Sequence, residues 1–241
     1  MKLSTKLYNH FTIANNIEKL SGSIFEIDEQ YNEYISQKRK LKTHQPQHLF
    51  RLRPRQILAV NRFVQTELNK PHLFLSAILP EIQEDIAIIS FENGKDWLSY
   101  CHVSFPSGWK PEEVIGKSFQ EIHKNIPGFV YNPNLPKILM SGRYQRTVWS
   151  PIFENKLNQY PGNSRPFTID KPEFYLKIER QVTVGFPAEG CFLFVMRQYI
   201  FDESCIDFKV LCNTIWNMSS IQKQYKNISP EFESYLIAKD N

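Results

Sequence analysis

Cysteine is scarce in this chain: Cys101, Cys191, Cys205 and Cys212 are all that its 241 residues contain. They have neither CxxC spacing nor the clustering of a zinc or iron–sulfur site, so reduced thiols are expected rather than a metal cluster. Long apolar runs are missing as well. Stretches such as Cys191 to Met196 are far too short to cross a bilayer, and Met1 to Lys6 is not followed by a signal-like apolar core. The expected setting is therefore cytoplasmic, with no membrane partner. No GxGxxG dinucleotide loop, internal repeat or low-complexity segment is present. Acid is absent from one region: Lys38, Arg39, Lys40, Lys42, Arg51, Arg53 and Arg55 follow one another without an Asp or Glu between them. Only Phe50 interleaves this run with an aromatic ring, so the stacking part of a single-strand nucleic-acid surface is lacking. A net charge of +4 is mild, and no nucleic-acid partner is expected. The basic run fits instead a patch for phosphates, a cofactor carboxylate or an acidic protein.

What is present is core material. Hydrophobic residues make up 41% of the chain and aromatics 14%, ample for a buried interior at this length. One domain over 1–241 is expected, with a helical lead-in over 1–78, a sheet core over 79–200 and C-terminal helices over 201–241. Helical spacing runs from Ile27 to Lys42 and again from Arg55 to Lys70, with Pro46 and Pro71 as stops. Two β-rich runs, Asp85 to Phe91 and Trp97 to Phe105, flank Asn93-Gly94, the strongest short-range hairpin signal. Short helical pieces follow over Val114 to Ile126 and Leu135 to Ser141. Strands are expected over Arg146 to Phe153, Phe174 to Thr183 and Gly190 to Ile200, then helices over Cys205 to Met218 and Pro230 to Ala238. The sum is an α+β protein whose antiparallel sheet has about five strands and is covered by helices.

The chemically suggestive residues are concentrated. Gln83-Glu84-Asp85, Phe105-Pro106-Ser107-Gly108-Trp109 and Ile122-His123 with Ile126-Pro127 fall within about fifty residues of each other. With Asp28 to Tyr31, Lys38 to Leu41, Gly116, Arg146 with Trp149, Ile178-Glu179-Arg180-Gln181 with Pro187, and Leu193 to Tyr199, they resemble the haem-dependent oxidative N-demethylase family across most of Phe25 to Lys226. The chain departs from the family pattern at Val182 to Phe186 and at Arg146-Thr147-Val148, positions that bear on the pocket.

The resemblance implies a PAS-like fold holding b-type haem, with iron bound by the protein. It implies O2-dependent removal of an N-methyl group from a small amine, giving formaldehyde, with electrons from a separate flavin and iron–sulfur reductase. The basic run is a docking surface for such a partner. A haem or small-molecule sensor without turnover is the alternative, since fold does not fix function.

On this reading His123 is the iron ligand, because imidazole suits iron and helix histidines ligate haem in related modules; its bland role is a helix cap against Pro127. Arg180 and Arg197 are candidates for the haem propionates, or else for an ion pair with Glu84 or Asp85. Glu84 or Asp85 is the candidate proton relay or amine holder. Adjacent strand residues point to opposite faces, so only one of them can serve. Trp149 is a candidate aromatic wall for an alkylammonium, and Trp109 a core anchor. His102 is the second-choice ligand. His44 and His48 have helical metal-pair spacing broken by Pro46. Cys101 and Cys191 are inert buried thiols, or thiolate ligands.

Overall fold

A computed structural model describes residues 17–41 and 47–240. His44 and Lys42 lie outside this range. The core is one antiparallel sheet built from five long strands: β3 (Asp85–Glu92), β4 (Lys95–His102), β5 (Arg143–Ile152), β6 (Tyr175–Phe186) and β7 (Cys191–Phe201). Two two-residue edge strands, β1 (Glu18–Lys19) and β2 (His48–Leu49), bring the sheet to seven, in the order β1-β5-β6-β7-β3-β4-β2. The sequence predicts about five because β1 and β2 carry no alternation of their own; they exist only by pairing with Tyr144–Gln145 of β5 and Tyr100–Cys101 of β4.

The β3–β4 hairpin turns through Asn93 and Gly94, at φ of 50° and 78°. Positive φ at both central residues matches the right-handed twist of the flanking strands. Between β4 and β5 the chain forms three short helices, α4 (Pro111–Val114), α5 (Phe119–His123) and α6 (Leu135–Met140), packed on one sheet face over Ala87, Ile89, Leu98, Phe192 and Met196. The opposite face is covered twice. At one end α2 (Pro54–Glu67) and α3 (Leu75–Ile78) bury Val60, Val64, Leu75 and Ile78 against Ile86, Ile88, Val182 and Val195. At the other, α7 (Phe208–Trp216) and α9 (Pro230–Asp240) close over Trp149, Leu176 and Ile178, with α8 (Ser220–Tyr225) between them. Each fully buried Ile, Leu or Val contributes about 1.5–3 kcal/mol.

The first helix, α1 (Tyr31–Leu41), starts four residues later than the spacing predicts. The reason is competition for the preceding backbone: the Glu26 N–H donates to Glu84 Oε1 at 2.8 Å, and Asp28 accepts from Gln30 N–H while its other oxygen pairs with Arg197. Likewise β4 stops at His102, short of Phe105, whose N–H is taken by Asp85 Oδ2 at 2.8 Å. Among the described residues no helix is long and apolar enough to cross a membrane.

Candidate functional site

Strand β6 carries two chemistries on alternate residues. Leu176, Ile178, Arg180, Val182 and Val184 face α2 and the C-terminal helices, whereas Lys177, Glu179, Gln181 and Thr183 face the side on which α4 to α6 pack. Register extends this polar row sideways, because residues opposite each other in a ladder share a face. Arg146 stands opposite Gln181, Val148 opposite Glu179 and Ser150 opposite Lys177 on β5; Gln198 of β7 stands opposite Glu179.

The row is joined by hydrogen bonds. Gln198 Nε2 donates to Ser107 Oγ at 3.1 Å, Ser107 Oγ to Glu179 Oε2 at 2.7 Å, Gln181 Nε2 to Glu179 Oε1, and Arg146 Nε to Gln181 Oε1. Gln198 Nε2 also donates to the Phe105 carbonyl. Both Glu179 oxygens are thereby engaged, and a guanidinium and a carboxylate communicate through one amide. Thr183 Oγ1 and Gln198 Oε1 are buried on this face without a hydrogen-bond partner among the described residues, an arrangement that native interiors tolerate only at specific sites.

His123 ends α5 beside this row. The helix begins at Ser118, whose hydroxyl and the Glu121 carboxylate cap each other's backbone N–H groups, and the Phe119 N–H donates to Asp96 Oδ2. One turn on, His123 Nδ1 meets the Phe119 carbonyl at 2.7 Å. A carbonyl can only accept, so Nδ1 carries the proton and Nε2 presents its lone pair. The imidazole is stacked on Phe119 at 4.0 Å and on Phe129 at 5.4 Å between ring centroids. Burial lowers its pKa to about 4; the Phe119 carbonyl opposes this and the Arg146 charge adds to it. The ring is thus a neutral donor at physiological pH, and Nε2 makes no hydrogen bond with any described residue.

The other predicted residues lie elsewhere. Arg180 and Arg197 are on the opposite sheet face from His123 and are held by the segment before α1. Arg180 Nη1 is 3.3 Å from Glu26 and its other amine donates to the Ser23 carbonyl; Arg197 pairs with Asp28 at 2.7 Å. The Arg197 guanidinium also lies 4.0 Å from the Tyr34 ring centre and 5.0 Å from that of Tyr199. Neither arginine pairs with Glu84 or Asp85. Asp85 instead forms a buried ion pair with Lys38 at 2.9 Å, and Lys38 also donates to the Glu84 carbonyl. Burial raises the Glu84 pKa, against the Glu26 N–H that stabilises its charge. Trp149 faces the C-terminal helices, with Lys226 Nζ 4.8 Å from its ring. His102 shares the Arg180 face, and burial lowers its pKa. Cys101 and Cys191 are buried free thiols that burial drives to high pKa, Cys191 to about 12. Trp109 packs in the core beneath α4 to α6. His48 lies in edge strand β2.

The basic run is partly neutralised: Lys38 is buried with Asp85, Arg39 pairs with Glu81 and Arg53 with Glu92. A groove of about 420 Å³, lined by Tyr31, Asn32, Ile35, Ser36, Arg39 and Lys40 of α1, contains none of the residues joined around His123. Among the described residues no cluster of three or more His, Cys, Asp or Glu could hold a metal ion; a metal brought by an organic ring needs only an axial donor.

Ser107, Arg146, Glu179, Gln181 and Gln198 were not predicted as site residues, although all of them stand in the motif segments Phe105 to Trp109, Arg146 to Trp149, Ile178 to Gln181 and Leu193 to Tyr199. The missing signal was the strand phase, which decides whether Glu179 or Arg180 shares the His123 face. Residues 56–231 match the family model described as "Haem-dependent oxidative N-demethylase, alpha subunit-like". That span holds His123 and the whole hydrogen-bonded row, whereas Glu26, Asp28 and Lys38 precede it. No curated protein matches the chain.

Proposed function

The chain belongs to the haem-dependent oxidative N-demethylase, alpha subunit-like family, and on that premise we propose that it binds b-type haem and removes a methyl group from a small amine with O2. The observation that carries this reading is His123: a neutral imidazole whose Nδ1–H is anchored to Phe119 and whose Nε2 makes no hydrogen bond among the described residues. Anchoring one ring nitrogen on a carbonyl orients the other for a metal and raises its basicity. The surroundings fit a haem in kind: aromatic rings at Phe119 and Phe129, the Arg146 guanidinium, and the unpartnered oxygens of Thr183 and Gln198. The sheet order β5-β6-β7-β3-β4, with α4 to α6 crossing one face between β4 and β5, supports the PAS-like reading of the fold.

His123 would hold the iron, and Arg146 would meet a propionate. Haem supplies the oxidation of the N-methyl carbon by O2, which yields formaldehyde and the demethylated amine. The chain's own residues bind and orient. Glu179 provides the anionic charge for a cationic amine, and Ser107 Oγ–H, already donating to Glu179, holds a proton on the path between carboxylate and pocket. Glu84, Asp85, Arg180 and Arg197 we assign to fastening α1 and the segment before it onto the sheet, and Trp149 to the C-terminal core. Electrons come from a separate flavin and iron–sulfur reductase.

The test is haem titration followed by turnover. A saturable Soret band, and formaldehyde released from a methylated amine with a surrogate reductant, support the enzyme. A Soret band without formaldehyde favours a haem sensor, and no band at all removes both readings.

A further inference from the structure

We infer that Lys177, with Lys226 beside it, forms a binding site for a carboxylate group. Lys177 is the last member of the polar row Gln181–Glu179–Lys177 and is 5% exposed, yet it makes no hydrogen bond or ion pair with any described residue. Its ladder neighbours, Ser150 on β5 and Ile200 on β7, bring no charge. The nearest acid along the strand, Glu179, has one oxygen bonded to Ser107 and the other to Gln181. A buried ammonium with no partner is costly, and native interiors supply one.

The second lysine sharpens the argument. Lys226 follows α8 and reaches the same end of β5, its Nζ donating to the Trp149 carbonyl. Burial lowers Lys177 to about 8, against the pull of Glu179, and lowers Lys226 to about 8, with the Lys177 charge adding to the effect. Both amines are still mostly protonated at pH 7, so the Lys177 charge, which has no partner among the described residues, is also repelled by that of Lys226. An anion resolves that repulsion. A carboxylate fits because its two oxygens accept from two separate ammonium groups at once.

Two sources share this chemistry: a side-chain carboxylate of the cofactor, or a free small carboxylate. The row runs from Arg146 and Gln181, beside His123, to Lys177, so the inference commits to the cofactor source and in that respect rests on the haem reading above. Here Lys177 takes the role the sequence suggested for Arg180 and Arg197, which lie on the opposite sheet face and are bonded to the segment before α1 through Glu26, Ser23 and Asp28.

Titrations of wild type, Lys177→Met and Lys177→Arg with haem and with haem dimethyl ester, read at the Soret band, test it. Lys177→Met is expected to weaken haem about tenfold or more, the worth of a charge-assisted hydrogen bond, and to leave the ester unchanged; Lys177→Arg retains haem affinity. Wild-type haem affinity in Lys177→Met, or a parallel loss of haem and ester, overturns the cofactor source. In the absence of haem, acetate is expected to protect Lys177 from amine acylation, read by peptide mass spectrometry. If the protein takes up no haem, the family-based reading falls and this second arm decides alone: protection keeps a carboxylate site, and none removes it.

Discussion

His123 is neutral because of where it sits. Two phenyl rings and the Arg146 charge disfavour a second proton, while the Phe119 carbonyl fixes the first on Nδ1. The folded pKa of about 4 lies below the ordinary 6.5, so below pH 6.5 the unfolded chain takes up a proton that the folded chain refuses. The stability His123 contributes is therefore complete above about 6.5, is lost as the pH falls, and levels off below about 4. Between pH 7 and 5 the loss is roughly 2 kcal/mol. Urea denaturation at the two pH values should show this loss in wild type and a smaller one in His123→Gln, which cannot titrate; equal losses would place the titrating group elsewhere. His123 was legible in the sequence as a histidine on a short helix. Its hydrogen-bonded row was not: Glu179, Arg180 and Gln181 are consecutive, and nothing local tells which of them faces the histidine.

At the scale of elements, close approach and buried charge decide what the fold tolerates. Gly185 on β6 lies under the C-terminal end of α6, where an added Cβ would stand 2.0 Å from the Met140 carbonyl oxygen. Backbone cannot yield as a side chain would, so Gly185→Ala should cost about 3 kcal/mol or more, measured by chemical denaturation. The Lys38–Asp85 pair fastens α1. Removing one partner strands the other in the interior, so Lys38→Ala should cost about 3–5 kcal/mol, and Lys38→Met with Asp85→Leu much less than the two single changes summed; additive losses in a double-mutant cycle would refute the coupling. The hairpin at Asn93-Gly94, helix α2 and strands β5 to β7 were legible because turn chemistry and periodicity are local. The late start of α1 and the edge strands were not, because partners far along the chain set them: Glu84 for Glu26, Arg197 for Asp28, β5 for β1.

The whole molecule divides its buried charges between the two faces of one sheet. On one, Arg180 and Arg197 are occupied with Glu26 and Asp28, which binds the lead-in to the core. On the other lie His123, Arg146, Glu179 and Lys177, with the His123 Nε2 and the Lys177 amine making no hydrogen bond among the described residues. The family match spans the second set completely and the first only in part, as expected if the first set holds the fold together and the second performs the chemistry. The α+β class and the antiparallel sheet could be read from the sequence; the division between faces required the register. The claim that the His123 face holds haem is tested most directly by reconstituting wild type and His123→Ala with haem, with and without added imidazole, and recording the visible spectrum. The account predicts a saturable Soret band in wild type, a weakened and shifted band in His123→Ala, and recovery with imidazole. No band in wild type, or the same spectrum in His123→Ala without imidazole, would contradict it.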